Sequence, residues 1–380
     1  MTTNFDQQLK LGVLGGGQLG RMLLQSAIDF NLEVNIIDPD PNAPCKHLVK
    51  NFSVGDLKDY DTVYAFGQSC DVITIEIEHV NTDALKQLQS EGKKVYPQPE
   101  VIELIKDKRI QKQFYLDQGI PTSEFILTDN KEDVLKQRDF LPAVNKLGKE
   151  GYDGRGVQML RNEADLEKAF DAPGLLEKLI DFDREISVIV ARNESGEVVT
   201  YPVVELVFHP EHNLVEYLFA PSSIAAHIKD KATQIAIDVI NKLDMVGLLA
   251  VEMFVTKDGE VLVNEVAPRT HNSGHQTIEG NVTSQFEQHL RAILNWKLGD
   301  TAAILPSAMV NILGEAGYAG DAKYLGMDEL LGMKGVHVHL YGKKQTKPFR
   351  KMGHVTIVNA DMDQLKISVQ QVKETLKVIS

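Results

Sequence analysis

The sequence predicts an α/β protein of two or three domains that begins with a doubly wound parallel sheet. Two stretches carry this prediction. Residues 10–38 contain a buried strand, a glycine-rich turn, a helix and a second strand, which is how a doubly wound sheet begins. Residues 250–265 contain two strand-like runs joined by a Lys-Asp-Gly turn, which is typical of an antiparallel hairpin.

Length and composition exclude several classes of protein. The 380 residues are 43% apolar and 25% charged, as in globular proteins with two or three cores. A net charge of −14 argues against nucleic acid or an anionic membrane as the main partner. We see no signal core and no membrane span. Cys45 and Cys70 have no metal or redox spacing, so we expect a reducing, cytoplasmic setting.

The glycine-rich turn at residues 15–20 predicts an anion-binding site. Gly15, Gly17 and Gly20 match G-x-G-x-x-G, and Asp38 lies near the position of a ribose-binding acid. Backbone N–H groups and a helix N-terminus at such a turn can approach the phosphate of any ligand. An NAD-dependent oxidoreductase is therefore one alternative, although nothing downstream supplies a hydride-transfer site.

A further apolar strand is predicted at residues 71–80, and it ends in Glu76, Glu78 and His79. Ligands of open parallel sheets bind beyond the carboxyl ends of the strands. Glu76 is therefore a candidate for contacting a ligand amine or hydroxyl, unless these charges simply face water. Two helical segments follow, and we expect the first domain to end at residue 105.

The next unit carries a lysine followed by a glycine-rich loop. Lys146 ends a predicted strand, and residues 149–157 form the loop. A lysine can bind triphosphate oxygens while such a loop closes over them and excludes water. The spacing is not that of a P-loop, and a flexible hairpin tip is the alternative. Farther on, residues 174–192 are predicted to join two sheets, where backbone groups can pair with adenine and Glu185 can accept ribose hydroxyls.

The predicted hairpin places Glu252 on one strand and Glu265 at the end of the other, with Asn264 beside it. Carboxylates beside an apolar core need a positive charge to repay their desolvation. Two acids and an amide oxygen suit a hard divalent cation such as Mg²⁺. The polar run at residues 269–275 would lie beside that metal. An ordinary exposed hairpin with acids on its wet face is equally compatible with this stretch.

The last part of the chain contains predicted strands at 307–314 and 335–341, a helical connector at 321–331 and a final helix at 361–378. A basic cluster lies before the last strand and favours an anionic ligand over a solvated turn, because it stands in an acidic protein. Its members are Lys343, Lys344, Lys347, Arg350 and Lys351.

Taken together, these motifs resemble the ATP-grasp enzymes and, among them, the carboxyaminoimidazole ribonucleotide synthetase family. The resemblance covers nearly the whole chain and is carried by Lys106, Lys146 and the motifs GGGQLGRM (15–22), GYDGRG (151–156), EKLIDFDREIS (177–187) and NEVAPRTHNSGH (264–275). It implies an ATP-grasp fold in three parts. These are a pre-ATP-grasp domain (1–105), an ATP-grasp domain (106–300, with a small lid at about 120–180) and a C-terminal β-rich domain (301–380).

The resemblance also implies a role for each candidate residue. ATP would be held by Lys106, Lys146, Gly151, Gly154, Gly156, Val157, Glu177, Lys178, Leu179, Ile180, Glu185, His209, Asn264 and Glu265. Glu252 and Glu265 would ligate two Mg²⁺, for which Mn²⁺ could substitute. A ribonucleotide would be held by Gly15, Gly16, Gly17, Gln18, Leu19, Glu76, Lys343 and Arg350. Bicarbonate and the reacting amine would be surrounded by Tyr152, Asp153, Arg155, Arg269, His271 and Asn272.

The activity that the resemblance implies is ATP- and bicarbonate-dependent carboxylation of the amine of 5-aminoimidazole ribonucleotide, through carboxyphosphate, in purine biosynthesis. The implied setting is a cytoplasmic homodimer without nucleic-acid or membrane partners. Another ATP-grasp ligase, using formate or an amino acid, is the close alternative. The NAD-dependent oxidoreductase and a non-catalytic nucleotide sensor are the more distant ones.

Overall fold

The computed structural model describes residues 8–149, 156–209 and 214–380. Of the predicted closing loop, Gly156 and Val157 are described, and the remaining predicted site residues lie outside the described residues: Gly151, Tyr152, Asp153, Gly154 and Arg155. No helix in the described part of the chain is both long enough and apolar enough to cross a membrane.

The first unit is a five-stranded parallel sheet flanked by helices. Its strands are β1 (Lys10–Leu14), β2 (Glu33–Asp38), β3 (Asn51–Val54), β4 (Val72–Ile75) and β5 (Lys94–Val95). Its helices are α1 (Gln18–Asp29), α2 (Tyr60–Gln68), α3 (Thr82–Ser90), α4 (Pro99–Lys106) and α5 (Lys108–Asp117). The strand order is β3-β2-β1-β4-β5. From β1 the chain adds strands first on one side (β2, β3) and then on the other (β4, β5), so the switch point lies between the parallel strands β1 and β4. The glycine turn and Glu76, which follow these two strands, therefore flank the crevice where such sheets bind ligands.

The second unit is a four-stranded antiparallel sheet that falls within the range expected for the lid. Its elements are β6 (Phe125–Thr128), α6 (Lys131–Leu135), β7 (Ala143–Leu147), β8 (Val157–Leu160) and β9 (Gly174–Lys178), with 3-10 turns at Arg138–Phe140 and Glu163–Lys168. The strand order is β6-β9-β7-β8. A small core of its own, centred on Val134, Leu160 and Leu176, holds this sheet together.

The third sheet has nine strands and extends across two of the predicted domains. Its first part contains β10 (Phe182–Arg192), β11 (Val198–Thr200), β12 (Val204–Phe208), β13 (Val215–Ala220), α7 (Ala226–Lys242), β14 (Gly247–Thr256), β15 (Val261–Ala267), a 3-10 turn (Asn272–Gly274), α8 (Thr277–Gly280) and α9 (Gln285–Ile293). The C-terminal part contains β16 (Ser307–Leu313), β17 (Gly320–Asp321), β18 (Lys323–Leu325), α10 (Met327–Leu331), β19 (Val336–Leu340), β20 (Gln345–Thr346), β21 (Lys351–Val358), α11 (Met362–Thr375) and β22 (Lys377–Ile379).

Pairing between β13 and β16 makes this sheet continuous. The strand order is β15-β14-β10-β12-β13-β16-β21-β19, with β11 paired to β10. Tyr217 faces Val310, and Ala220 faces Ser307, in antiparallel register. The C-terminal strands therefore extend the same hydrogen-bonded sheet that carries the predicted acid hairpin.

Two predictions for the C-terminal region were wrong. Residues 321–331 contain short strands before the helix α10, because Gly326 has a φ of 78° and interrupts any longer helix. The last helix ends at Thr375, and β22 follows it. Val378 is fully buried in β22, which pairs with β18. Burial of this apolar tail therefore favours a strand over continuation of the helix.

Candidate active site

The predicted acids face each other on the hairpin. Glu252 and Glu265 are direct cross-strand partners of β14 and β15, and we call them the carboxylate pair. The next pair is Met253 with Val263, so Asn264 is the extra residue of a β-bulge. A bulge re-aims the side chains around it, and Asn264 Oδ1 lies 3.1 Å from the ammonium of Lys146.

One face of the large sheet carries the polar groups of the site, and the other face packs on α7. Ser187 of β10 is paired with Glu252, and Glu185 lies two residues away on the same face. On the opposite face, Val188 and Val251 join a core that includes Ile235 of α7. Because strand side chains alternate, the apolar core fixes the direction in which the acids point.

Electrostatic interactions leave the carboxylate pair short of positive charge. Lys108 Nζ lies 2.6 Å from Glu265 Oε2, and this ion pair lowers the pKa of Glu265 even though burial opposes it. Burial and the negative charges of Glu265 and Glu185 raise the pKa of Glu252. His271, which is charged only when it is protonated, has its Nδ1 3.7 Å from Glu252 Oε1, and the charge of Lys351 also favours the ionised form of Glu252.

The protein side chains of this site can supply only part of the coordination of a divalent cation. No group of three or more His, Cys, Asp or Glu side chains within residues 8–149, 156–209 and 214–380 is arranged to hold a metal ion. The carboxylate pair and the Asn264 amide oxygen supply hard oxygen donors, and a bound cation would offset the burial and repulsion that raise the pKa of Glu252. Such a set suits Mg²⁺ when phosphate oxygens and water complete its coordination.

Two lysines share one buried carboxylate at the centre of the predicted ATP site. Lys146 Nζ lies 3.1 Å from Glu177 Oε1, and Lys112 Nζ lies 3.3 Å from Glu177 Oε2. The Glu177 side chain is only 4% exposed, so its carboxylate faces these lysines. Residues 179–181 connect the two antiparallel sheets, as expected of the predicted adenine slot. The role of residues 177–180 in holding adenine stays a prediction.

Other predicted ATP residues lie around the same connection. The ammonium of Lys178 donates to the carbonyl of Phe140 and lies over its ring. Burial and the charge of Glu265 raise the pKa of Glu185 to about 7. The ring of His209 contacts Phe349 edge-on at 6.1 Å between centroids.

Lys106 and Lys108 lie on either side of a helix break. Asp107 caps α5 by accepting from the Arg109 N–H, and an N-cap residue leaves the helical path. The two lysines consequently take different partners. Lys106 donates to the carbonyl of Val80, whereas Lys108 pairs with Glu265. Sequence analysis selected Lys106 and missed Lys108, and the capping Asp107 was the signal that separates them.

A cleft of about 860 Å³ joins the carboxylate pair to the glycine turn. It brings together residues that the sequence predicted for three different ligands. These are Gly15, Gly17, Gln18, Leu19, Glu76, Lys106, Glu252, Glu265, Arg269, His271 and Asn272. It also contains charged or polar residues to which sequence analysis assigned no individual ligand role, namely Lys58, Glu78, His79, Lys108, Gln111, His275, Tyr341 and Lys351.

The glycine turn is occupied by a side chain of the protein. Glu76 accepts hydrogen bonds from the backbone N–H groups of Gly17 and Leu19, and Asp38 accepts from Gly16. A Cβ atom on Gly17 would collide with the Glu76 carboxylate, so a larger residue there would require that carboxylate to shift. The N–H groups that would bind a dinucleotide pyrophosphate in an oxidoreductase therefore already have a carboxylate partner.

The polar loop after β15 is tied down at several points. Arg269 Nη2 lies 2.9 Å from Glu78 Oε1, and its Nε is buried without a hydrogen-bond partner in the described structure. Asn272 Nδ2 donates to Asn311 Oδ1 at 2.9 Å. His271 Nδ1 lies 3.0 Å from Ser273 Oγ. These contacts hold the loop against the cleft, with an arginine donor still unsatisfied.

The basic cluster approaches the cleft through Lys351. Lys351 and Tyr341 line the cleft. The ammonium of Lys343 donates to the Lys351 carbonyl at 2.8 Å and lies over the Tyr341 ring. Arg350 Nη1 donates to the Gln345 carbonyl at 2.7 Å. The sequence analysis selected Lys343 and Arg350 from this cluster and passed over Lys351.

Family models and solved structures agree on what this arrangement belongs to. Residues 8–106 match a ribonucleotide synthetase preATP-grasp domain, 113–286 an ATP-grasp domain and 307–368 a phosphoribosylaminoimidazole carboxylase C-terminal domain. The crystal structure of N5-carboxyaminoimidazole ribonucleotide synthetase from Thermotoga maritima is 41% identical, with a TM-score of 0.91, and the match covers 98% of this chain and 99% of that one. This chain belongs to the N5-carboxyaminoimidazole ribonucleotide synthetase family. The predicted family, three-part fold and enzyme class, an ATP-grasp ligase, are thereby confirmed.

Two further proteins are similar to this chain over nearly its whole length. An Aspergillus clavatus enzyme solved in complex with ADP and 5-aminoimidazole ribonucleotide is 34% identical, with a TM-score of 0.88, over 97% of this chain and 98% of that one. The chloroplastic phosphoribosylaminoimidazole carboxylase of Vigna aconitifolia is 38% identical over 94% of this chain. This chain spans 66% of the length of that plant enzyme.

Proposed function

We propose that this chain catalyses the ATP- and bicarbonate-dependent carboxylation of the amine of 5-aminoimidazole ribonucleotide. The single observation that carries the proposal is the cleft, which joins the carboxylate pair to the loop of Arg269 and to Lys351. A triphosphate, a small anion and a phosphorylated substrate can each find a counter-charge there. Membership of the N5-carboxyaminoimidazole ribonucleotide synthetase family supports the choice of substrate.

Phosphoryl transfer needs positioning and charge neutralisation more than covalent help from the protein. Lys146 and Lys108 would hold phosphate oxygens, and their contacts with Asn264 and Glu265 beside the carboxylate pair support this role. A bicarbonate oxygen attacks the γ-phosphorus of ATP, and ADP leaves, which gives carboxyphosphate. The substrate amine then bonds to the carboxyl carbon and loses a proton, and phosphate leaves, giving the carbamate. Arg269 supplies donors for the carboxylate and phosphate oxygens.

The carboxylate pair and Asn264 would hold Mg²⁺, with Mn²⁺ able to substitute. When bound, the metal neutralises charge on the transferring phosphoryl group. The protein side chains would bind and orient ATP. The loop at residues 151–157 would exclude water from carboxyphosphate. We also propose the homodimer that family resemblance implies, and light scattering of the purified protein tests it.

Phosphate release measured with ATP in four mixtures tests the activity. We expect release only when both bicarbonate and aminoimidazole ribonucleotide are present with Mg²⁺, at a rate at least about tenfold above each mixture lacking one component. Phosphate release at the same rate without aminoimidazole ribonucleotide would show that this ribonucleotide is not the substrate. Formate or an amino acid in place of bicarbonate tests the alternative ligases. A thermal shift with NAD but not with ATP would favour the oxidoreductase.

A further inference from the structure

The buried ion cluster behind the predicted phosphate-binding lysine has an unequal number of charges. Lys112, Glu177 and Lys146, which we call the lysine–glutamate triad, contain two ammonium groups and one carboxylate. The Lys112 and Glu177 side chains are 2% and 4% exposed, whereas Lys146 is 11% exposed. Buried charges must be compensated, so the excess positive charge is available on the side of Lys146.

The contacts of Lys112 hold it to the far side of the carboxylate. Lys112 Nζ donates to the hydroxyls of Thr122 and Ser123, and Ser123 Oγ donates to Glu177 Oε2 at 3.0 Å. Lys146 instead contacts Glu177 Oε1 and the Asn264 amide oxygen. The two oxygens of Glu177 are thus divided between the two lysines.

We propose that Lys112 is a positioning residue for nucleotide binding, because its ammonium neutralises Glu177 and leaves the charge of Lys146 available to the phosphates of ATP. The proposal rests on the proposed function, since it takes Lys146 as a phosphate-binding residue. Without the charge of Lys112, Lys146 would be the lysine left in contact with Glu177. The triad would then be neutral, and its attraction for a triphosphate would fall.

The charge on Lys112 is also sensitive to pH. Burial lowers the pKa of Lys112 to about 8, while Glu177 opposes the shift and Lys146 and Lys108 add to it. The lysine is charged below that pH and neutral above it. ATP binding, which favours the charged form, should therefore weaken as the pH rises through the pKa of Lys112.

Calorimetric titration of the full chain with ATP tests the proposal without any assumption about the second substrate. We expect Lys112→Met to weaken ATP binding about tenfold, which corresponds to the loss of one partly screened charge interaction. Because Glu177 is itself a predicted ATP residue, the effect of Lys112→Met is measured again in a Glu177→Gln background, where it should shrink to within about twofold. If Lys112→Met only damaged packing, it would weaken binding as much in that background. Lys94→Met, which removes one exposed ammonium from the pair with Glu194, is the matched control and should stay within about twofold of the parent protein.

The pH dependence separates a charge effect from a packing effect. The parent protein should lose affinity between about pH 7 and pH 9.5, and the gap between it and Lys112→Met should close over that range. Affinity of Lys112→Met equal to that of the parent at pH 7 would overturn the proposal, as would an equally large effect of Lys112→Met in the Glu177→Gln background. Should Lys112→Met fail to fold, binding by the folded double variant much weaker than that of Glu177→Gln alone would overturn it equally. A parent protein that does not bind ATP would instead reject the proposed function.

Discussion

The two ends of the cleft carry acidic side chains in opposite states. At the glycine turn, backbone N–H groups of Gly17 and Leu19 satisfy the carboxylate of Glu76. At the hairpin, Glu252 and Glu265 face each other, and Lys108 compensates only Glu265 directly. The carboxylate of Glu76 therefore has its hydrogen-bond donors without any ligand, whereas the carboxylate pair is short of positive charge at Glu252. What each carboxylate oxygen accepts distinguishes a structural acid from a candidate metal ligand.

The largest effect should come from removing one member of the unsatisfied pair. We expect Glu265→Ala to lower ATP turnover about a thousandfold, because the phosphates lose a metal-binding carboxylate. Phosphate release measures turnover, and thermal unfolding should show little loss of stability. Glu260→Ala, on the same hairpin but in an exposed pair with Lys231, is the control. Near-normal turnover of Glu265→Ala would refute the metal assignment.

The satisfied acid should behave in the opposite way. Glu76→Ala removes the acceptor of two charge-assisted hydrogen bonds, so the free energy of unfolding should fall by about 2–4 kcal/mol in urea titrations. The freed N–H groups should then bind an anion. Sulfate should consequently raise the unfolding midpoint of the variant more than that of the parent protein. If sulfate stabilises both equally and the variant loses no stability, Glu76 does not complete the turn.

Regular patterns made much of the fold predictable. The glycine turn and the hairpin each combine a turn signal with a buried apolar run, and both occur where the sequence places them. The region around β18 and β22 was mispredicted, because its strands are only three residues long and depend on contacts distant in sequence. Tertiary pairing overrides local propensity in such segments.

The site was predictable in its residue types but not in its partners. Sequence analysis placed Glu252 and Glu265 together from the hairpin pattern, and it joined Lys146 to them through the family resemblance. It could not show that Asn264 is the bulged residue or that Glu177 turns its carboxylate towards two lysines. These facts depend on register and burial, which a single sequence does not specify.

The basic cluster allows the same comparison between two cationic side chains, one facing the cleft and one held by the backbone. Lys351 lines the cleft, while Arg350 donates to a backbone carbonyl. We expect Lys351→Met to raise the KM for the ribonucleotide about tenfold, with little change in the KM for ATP. Arg350→Met is the matched charge removal and should change either KM by less than about twofold. A larger rise in the KM for the ribonucleotide with Arg350→Met than with Lys351→Met would support Arg350, the residue chosen from the sequence.

The smallest expected effect concerns Glu185, which shares the face of the carboxylate pair. Its pKa is raised from 4.5 to about 7, first by burial and then by Glu265. Below that pH the carboxyl is protonated and accepts less well from ribose hydroxyls, so the KM for ATP should rise about threefold as the pH falls through this range. Glu185→Gln does not titrate and should lose this part of the pH profile while keeping an amide acceptor. If the pH dependence of the KM for ATP is the same in Glu185→Gln as in the parent protein, another group is responsible for it. Glu185 would then resemble Glu76, an acid that needs no ligand.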